Sequence, residues 1–531
     1  MEWSKTSGGL TVFLTSLFMA VATYSSAAPT TIDVYSEGFF NPRGLAFAPD
    51  GTLYVAEAGP PGEVIIPLPA LYGGKGPIGS GGVISRVKAG GGARIPVVTG
   101  LPNLGIYSGA EILGPSGLAF IGNDLYVVRA AHMTESPTVA RLNADGTLTK
   151  IADIGEFNGK NSARADNGDA VPGGNPYDMV ALDGDLYVSD GNFNRILRVK
   201  LDGRITIHAA FTASPTAVGM AVDTTQAILI GQFGAAPYYP GSSRVDRVTP
   251  DGTVTTGHVN GLQNTTDVAV GPDGALYILQ FAAHFSAQRL AYVPGGGRVL
   301  KVEADGTTRP VVDNLMFPTF MTFGPEGSLY ISNYGNQSMK GEGQILRVTL
   351  GEGVARAPDL TPPVGSPTLA DIEAEEAARE QRTAAVKSEA GEHLVRIVEG
   401  PDMQKWGYDP PLLTAAVGDR IRFLNAGRMP HTATAADGSF DTGLIPAGAS
   451  LVVTLTKPGE LSYVCTPHPW MAAKIAISGG AANASATAIP KDPAETASPV
   501  AIKRTVLVAI IIGIMAAVLG VAFIIRRREN P

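Results

Sequence analysis

Apolar and polar positions recur along residues 30–352 in one unit that is repeated six times. Each unit has a short apolar stretch, a turn of the Pro-Asp-Gly type or an equivalent, and a second stretch of the Leu-Tyr-Val type. Such turns are typical of hairpins, and short apolar stretches on either side of them favour strands. The six pairs of stretches lie at residues 44–47 and 50–55, 117–120 and 124–127, 178–181 and 184–188, 219–222 and 227–230, 267–270 and 273–277, and 321–323 and 326–330.

This repeat predicts a six-bladed β-propeller over residues 29–353. Most units continue into a third strand, near Arg141, Arg198, Arg247 and Lys301. Radial repetition of four short strands is the pattern of propellers. We expect residues 32–35 to supply the outer strand of the last blade and so close the ring. The domain resembles the NHL and gluconolactonase-like propellers and the ScyD/ScyE-type family, and this likeness implies the fold rather than the function.

A polar side chain recurs three residues after the Leu or Tyr of each second stretch, where the second strand of each unit is expected to end. Long insertions at residues 59–82 and 281–297 leave from the same face, and insertions in repeat folds cluster on the binding face. These side chains either line a ligand or partner site or cap the turns that follow them. No catalytic residue is predicted in this domain. The six positions are Glu57, Arg129, Asp190, Gln232, Gln280 and Asn333.

The single cysteine of the chain, Cys465, begins a loop rich in metal-binding side chains. His468 and Met471 follow it at three-residue intervals, and His431 lies 34 residues upstream. One Cys, two His and one Met form the ligand set of a blue-copper site, with a trigonal His₂Cys plane and a weak axial Met. Two prolines within the loop stiffen it. The spacing therefore favours a copper centre that transfers single electrons.

Three other interpretations of this cysteine compete with copper. A Cys and two His could bind zinc, but Met is not a zinc ligand and structural zinc sites use four Cys or His. A free Cys is often a small buried hydrophobe, although this one lies in a strand-rich segment of about ninety residues together with His431. A nucleophilic Cys–His pair lacks an evident third orienting group, and an exported location disfavours a free thiolate.

Residues 392–478 resemble the amicyanin and plastocyanin group of cupredoxins. The likeness rests on the Cys-Thr-Pro-His-Pro-aromatic-Met loop, on Asn425 six residues before His431, and on the stretches 408–410 and 440–443. It implies an eight-stranded Greek-key sandwich with one type 1 copper at one end. The resemblance also assigns roles: His431, Cys465, His468 and Met471 as ligands, Asn425 as the residue that ties the two ligand loops together, and Met429, Pro430, Pro467 and Pro469 as the patch around the electron exit at His468.

The two ends of the chain predict its compartment. Residues 1–28 have the short polar start, apolar run and small residues of a signal peptide. Residues 503–526 contain 21 consecutive uncharged positions, which is long enough to span a bilayer, and the arginines that begin at Arg526 favour a cytoplasmic tail at 527–531. The body would be periplasmic or extracellular. A Pro-rich and then helical linker at 354–390 and a flexible one at 479–502 flank the copper domain at 391–478.

These features predict an all-β protein: a six-bladed propeller, a Greek-key cupredoxin sandwich and one C-terminal transmembrane helix. The net charge of −8 and the pI near 5.5 argue against a nucleic-acid partner. We expect a membrane-anchored extracytoplasmic electron carrier rather than an enzyme, with redox partner proteins at the membrane and a small-molecule or protein ligand on the propeller. The alternatives are a propeller oxidoreductase or lactonase-like hydrolase with an attached copper domain, and a non-catalytic copper-binding surface scaffold.

Overall fold

A computed structural model describes residues 28–68, 75–106, 111–130, 135–162, 174–211, 216–234, 238–286, 288–289, 291–389 and 391–479. In these residues the chain is nearly all β, with the α-helices α1 (Ile154–Lys160) and α2 (Leu369–Ala385). None of the helices described here has the length and apolar character needed to cross a membrane. The predicted membrane helix at 503–526 and residues 1–27 of the predicted signal peptide lie outside the described residues.

The N-terminal domain, residues 28–357, consists of short strands joined by tight turns. Its strands are β1 (Thr31–Phe39), β2 (Pro42–Phe47), β3 (Leu53–Glu57), β4 (Val64–Pro67), β5 (Lys75–Val87), β6 (Ile95–Ile106), β7 (Glu111–Leu113), β8 (Pro115–Ile121), β9 (Asp124–Arg129), β10 (Thr138–Leu142), β11 (Leu148–Asp153), β12 (Pro176–Leu182), β13 (Asp185–Asp190), β14 (Arg195–Val199), β15 (Ile205–Ala210), β16 (Ala217–Val222), β17 (Ile228–Gln232), β18 (Ser243–Val248), β19 (Val254–Leu262), β20 (Thr265–Val270), β21 (Leu276–Gln280), β22 (Phe285–Ser286), β23 (Ala291–Tyr292), β24 (Gly297–Val302), β25 (Thr308–Leu315), β26 (Met321–Phe323), β27 (Leu329–Asn333), β28 (Gly343–Thr349) and β29 (Ala355–Arg356).

Within the described residues these strands form six sheets of four or more strands, besides the small pair β22–β23. The orders are β2-β3-β5-β6-β7 with β4 beside β5, β8-β9-β10-β11, β12-β13-β14-β15, β16-β17-β18-β19, β20-β21-β24-β25-β29 and β26-β27-β28-β1. The first strands of successive sheets contact one another, from β2 through β8, β12, β16, β20 and β26 back to β2. This arrangement is consistent with a propeller.

Strand β1 pairs antiparallel with β28, so the beginning and the end of the domain share one sheet. Thr31 lies opposite Thr349, and the pairing continues to Phe39 opposite Gly343. This agrees with the sequence prediction that residues 32–35 form an outer strand of the last unit. The apolar cores lie between neighbouring sheets: Leu53 and Val87 of one sheet pack in one cluster with Ile345 of the next.

The C-terminal domain, residues 391–479, is a sandwich of two four-stranded sheets. One has the order β31-β30-β33-β35 and the other β32-β37-β36-β34. Their shared core includes Ile397, Phe423, Tyr463 and Ile475, all fully buried. A 3₁₀ turn at Met403–Lys405 immediately precedes Trp406. The strands are β30 (Glu392–Val398), β31 (Gly407–Asp409), β32 (Leu412–Ala416), β33 (Arg420–Asn425), β34 (Thr434–Ala435), β35 (Ser450–Thr454), β36 (Gly459–Val464) and β37 (Ala472–Ser478).

Helix α2 lies in the linker, where the sequence predicts a helix. Thr368 caps its first turn: its hydroxyl accepts the N–H of Asp371, whose carboxylate accepts the N–H of Thr368. The helix also contacts both domains. Glu375 accepts hydrogen bonds from Ser286 and Arg289 of the N-terminal domain, and Arg379 donates to the carbonyl oxygen of Ala426 in the C-terminal domain at 2.7 Å. The helix therefore bonds to both domains, although Ile372 is its one buried residue and its other side chains are exposed or half-buried.

Candidate metal centre

Two loops at one end of the C-terminal sandwich bring the sequence-predicted ligands together. His431 lies in the loop between β33 and β34, and Cys465 directly follows β36. The second loop is held by three main-chain hydrogen bonds: the N–H of Cys465 donates to Met471, that of His468 to Cys465, and that of Met471 to His468. Since these bonds span the loop from end to end, the side chains of Cys465 and His468 are fixed relative to β36 and β37.

The potential ligand atoms of His431, Cys465 and His468 all lie within 4.8 Å of one another. Cys465 Sγ is 3.4 Å from Nδ1 of His431 and 3.5 Å from Nδ1 of His468, and the two Nδ1 atoms are 3.0 Å apart. All three side chains are buried. Two imidazole nitrogens and one soft thiol sulfur form a donor set that suits copper. Met471 is fully buried in the same core cluster as Cys465, and its part as axial ligand stays a prediction.

Thr432 connects the two ligand loops. Its main-chain N–H lies 3.4 Å from Cys465 Sγ, and its hydroxyl accepts the N–H of Thr466 at 2.8 Å. The resemblance implied that Asn425 makes this tie. Its side chain instead donates to the carbonyl oxygens of Met429, in the His431 loop, and of Ile445, between β34 and β35. A hydrogen bond to the cysteine sulfur is one of the features by which a protein sets the potential of a copper–thiolate site.

Glu399 holds the far side of the His431 ring. Its Oε1 atom lies 2.6 Å from His431 Nε2 and accepts the main-chain N–H of Met429. Its Oε2 atom accepts the N–H of Arg428 and the hydroxyl of Tyr239, at 3.0 and 2.6 Å. The carboxylate is fully buried. Because Nε2 of His431 bonds to this carboxylate, Nδ1 faces Cys465 and is the nitrogen that would bind a metal.

The two histidines differ in their pKa values before any metal binds. Burial lowers the pKa of His431, but its hydrogen bonds to Cys465 and Glu399 and the charge of Glu399 outweigh burial and raise the pKa to about 9. Burial and then the positive charge of His431 lower the pKa of His468 to about 3. His468 is therefore neutral at pH 7, the form in which an imidazole nitrogen can bind a metal.

Two tryptophans cover the imidazoles. The ring of Trp406 is centred 5.3 Å from that of His468 and 5.9 Å from that of His431, edge-on to both. The ring of Trp470 is centred 5.4 Å from that of His468. Each indole N–H is satisfied, by Gly400 and Met403 respectively. His468 is consequently only 6% exposed.

Comparison with known proteins matches this domain to one family. Residues 395–478 match the copper-binding proteins of the plastocyanin/azurin family. The domain is a cupredoxin. Amicyanin from Paracoccus denitrificans is 26% identical over 102 residues, which are 18% of this chain and 78% of amicyanin. Amicyanin from Paracoccus versutus is 26% identical over 80 residues, 14% of this chain and 61% of that protein.

A solved structure also aligns with a larger part of the chain. It is the PQQ-bound form of an aldose sugar dehydrogenase from Streptomyces coelicolor, at 15% identity and a TM-score of 0.38. The alignment covers 60% of this chain and 99% of that one.

The predicted exit patch of the cupredoxin domain is unevenly exposed. Pro469 is exposed and Pro430 and Pro467 are half-buried, whereas Met429 is 5% exposed and packs in the core of the domain. Since His468 is itself covered by Trp406 and Trp470, the accessible part of this patch lies around Pro469. Its part in electron exit stays a prediction.

The six polar positions of the N-terminal domain each end a strand, as the spacing predicts. They are the last residues of β3, β9, β13, β17, β21 and β27. All except Arg129 are buried. Glu57 accepts from Ser85, Arg94 and the N–H of Phe40, and Asp190 accepts from Asn158 and the N–H of Asn175. These bonds favour the structural interpretation, and a ligand role stays a prediction. The set comprises Glu57, Arg129, Asp190, Gln232, Gln280 and Asn333.

Four residues near the centre were not predicted from the sequence: Glu399, Trp406, Tyr239 and Thr432. Glu399 directly follows β30, and Tyr239 is 160 positions earlier in the chain. Of these residues, only Trp406 could have been noticed from the sequence, because tryptophan is rare in this chain and this one lies immediately before β31. The contacts themselves join distant segments, so no local pattern marks them.

Proposed function

We propose that this protein is an extracytoplasmic blue-copper electron carrier, anchored to a membrane, whose N-terminal domain is a six-bladed propeller that binds a partner or ligand. The observation that carries the proposal is the convergence of two imidazole Nδ1 atoms on Cys465 Sγ inside a cupredoxin domain. The closed cycle of contacts between six first strands supports the count of blades.

His431, Cys465, His468 and Met471 would hold the copper. The metal supplies a one-electron couple between Cu(II) and Cu(I), which soft and borderline ligands stabilise in both states. The residues of the chain do the rest. Three main-chain bonds stiffen the Cys465 loop, the N–H of Thr432 donates to the thiolate, and the two tryptophans exclude water from the imidazoles.

We place the exchange of electrons with a partner protein at the surface that Trp470 and Pro469 form next to His468. Trp470 is half-exposed and its ring contacts the imidazole, and Pro469 beside it is exposed. A docked protein would therefore approach a ligand ring through one aromatic layer. The membrane anchor is proposed from residues 503–526, and tethering would raise the effective concentration of the carrier near membrane-bound redox partners.

The test is an absorption spectrum of the full-length protein in detergent, titrated with Cu(II), beside Cys465→Ala. We expect an intense band at ~600 nm at one copper per chain that is absent from the variant, because the band arises from the copper–thiolate bond. Thr414→Val, an exposed strand position in the same domain, is the matched control and should keep the band.

Two results would contradict this function. One is a protein that stays colourless with copper while it retains its fold. The other is equal binding of Zn²⁺ and Cu(II) without any redox change when a reductant is added. Either result would leave the chain with a structural metal site or none.

A further inference from the structure

The carboxylate of Glu399 accepts four hydrogen bonds, and one of them crosses between the domains. Three donors belong to the ligand loop of the cupredoxin domain: the His431 ring and the N–H groups of Arg428 and Met429. The fourth is the hydroxyl of Tyr239, which lies between β17 and β18 of the N-terminal domain, at 2.6 Å. A propeller residue is thus two hydrogen bonds away from a predicted copper ligand.

We infer that Tyr239 is a positioning residue for His431, acting through Glu399, so that the copper centre responds to whether the propeller is docked on the cupredoxin domain. The inference rests on the proposed function for the presence of copper. Its structural part, the control of the His431 loop by a propeller side chain, can be tested without metal.

The surroundings of Tyr239 show that it is built into the interface. Its ring packs against the cupredoxin core, the guanidinium of Arg428 lies 4.7 Å from the ring centre, and the Trp406 ring lies 6.4 Å away. Arg428 also pairs with Glu376 of α2 at 2.7 Å. Tyr239 therefore contacts two neighbours of His431: Glu399 through its hydroxyl and Trp406 through its ring.

The direction of the hydrogen bond is fixed by the environment. Burial, followed by the negative charge of Glu399, raises the pKa of Tyr239, so the phenol keeps its proton and donates at every ordinary pH. The carboxylate also packs closely against the ligand loop, since a Cβ added at Gly427 would lie 2.1 Å from Glu399 Oε1.

Coupling of this kind is reciprocal. If docking orders the His431 loop, then an event that orders the loop, such as ligand binding by His431, also favours docking. The helix α2, which bonds to Arg289 of the N-terminal domain and to Ala426 of the cupredoxin domain, keeps the two surfaces close enough for the contact to re-form after it opens.

The test compares Tyr239→Phe with the full-length protein and with Tyr35→Phe. Tyr35 is the matched control because its hydroxyl also donates one hydrogen bond, to Lys88, within the N-terminal domain. Hydrogen exchange of the metal-free proteins reports on the amides of Arg428 and Met429. We expect exchange about tenfold faster in Tyr239→Phe, the loss typical of one hydrogen bond to a charged acceptor, and no change in Tyr35→Phe.

The second measurement is the spectrum of the copper-loaded proteins. A positioning role predicts that Tyr239→Phe shifts the thiolate-to-copper band and the copper hyperfine splitting, while Tyr35→Phe does not; a residue that only stabilises the interface would leave both unchanged. Unaltered exchange and an unaltered spectrum in Tyr239→Phe overturn the inference. Absence of the band from the wild-type protein overturns the proposed function instead, and the metal-free exchange then decides the role of Tyr239.

Discussion

The hydroxyl of Thr432 accepts the main-chain N–H of Thr466 at 2.8 Å, and this bond joins the loop that carries one imidazole to the loop that carries the thiol. Thr432→Val keeps the shape of the side chain and removes the acceptor, together with the bonds of this hydroxyl to the hydroxyls of Thr434 and Thr466. We expect the cupredoxin domain to lose at least about 1 kcal/mol of unfolding free energy, the usual net value of one hydrogen bond. Thermal unfolding of the metal-free protein measures it, with Thr414→Val as the exposed control; equal transition temperatures for both variants would refute the role of this bond.

Glu399→Gln tests the role of the carboxylate that accepts four hydrogen bonds beside His431. The amide group places N–H donors where the carboxylate accepts from Arg428 and Tyr239, so at least one buried donor loses its partner. We expect the cupredoxin domain to be destabilised by about 1–3 kcal/mol. The control is Glu460→Gln, whose ion pair with Lys474 is more than half exposed and is expected to change the unfolding free energy by less than about 0.5 kcal/mol. Calorimetry that finds the two variants alike would contradict the prediction.

Trp406→Ala removes the ring that covers both imidazoles. Trp406 is 4% exposed, and truncation of a buried aromatic side chain costs about 3–5 kcal/mol. Trp470→Ala is the matched comparison, because this ring is half-exposed and its loss should cost clearly less. Denaturant unfolding of the two metal-free variants measures the difference. A larger loss for Trp470 than for Trp406 would show that the cover over the centre is arranged differently.

The N-terminal domain should become less stable as the pH rises. Burial raises the pKa of Asp178 to about 7, and burial and then the charge of Asp178 raise that of Asp267 well above its usual value. Between about pH 4, where the unfolded group titrates, and pH 7, the folded state holds more protons than the unfolded state. The free energy of unfolding therefore falls across this window.

Asp178→Asn is expected to reduce that loss, since it mimics the neutral acid. The stability difference between pH 5 and pH 8 should shrink by an amount on the order of 3 kcal/mol, measured by urea unfolding followed by circular dichroism. Asp305→Asn is the control: hydrogen bonds from Thr307 lower the pKa of Asp305, so this group is ionised in both states between pH 5 and pH 8. An unchanged pH dependence in Asp178→Asn would be the contrary outcome.

The sequence predicted the site where its information is local. Cys465, His468 and Met471 lie within seven residues, and adjacent Asp-Gly pairs predict the hairpin turns of the N-terminal domain. Likewise, the spacing placed all six polar residues at strand ends. Their partners could not be predicted, because Glu57 meets Arg94 only after the sheet has formed. Tyr239 and Glu399 meet for the same reason: tertiary packing, rather than periodicity, decides which side chains face each other.

The pairing of β1 with β28 has a consequence for the synthesis of the chain. Asp33 and Arg347, which pair across these two strands, are 314 positions apart. A ribosome that adds about 5–20 residues per second needs roughly 15–60 s to travel that distance, and throughout this time β1 exists without its partner. An unpaired strand edge is a template for association with other chains. The chain is thus most prone to associate with other chains before the last sheet is complete. A high local concentration of nascent chains would favour such association.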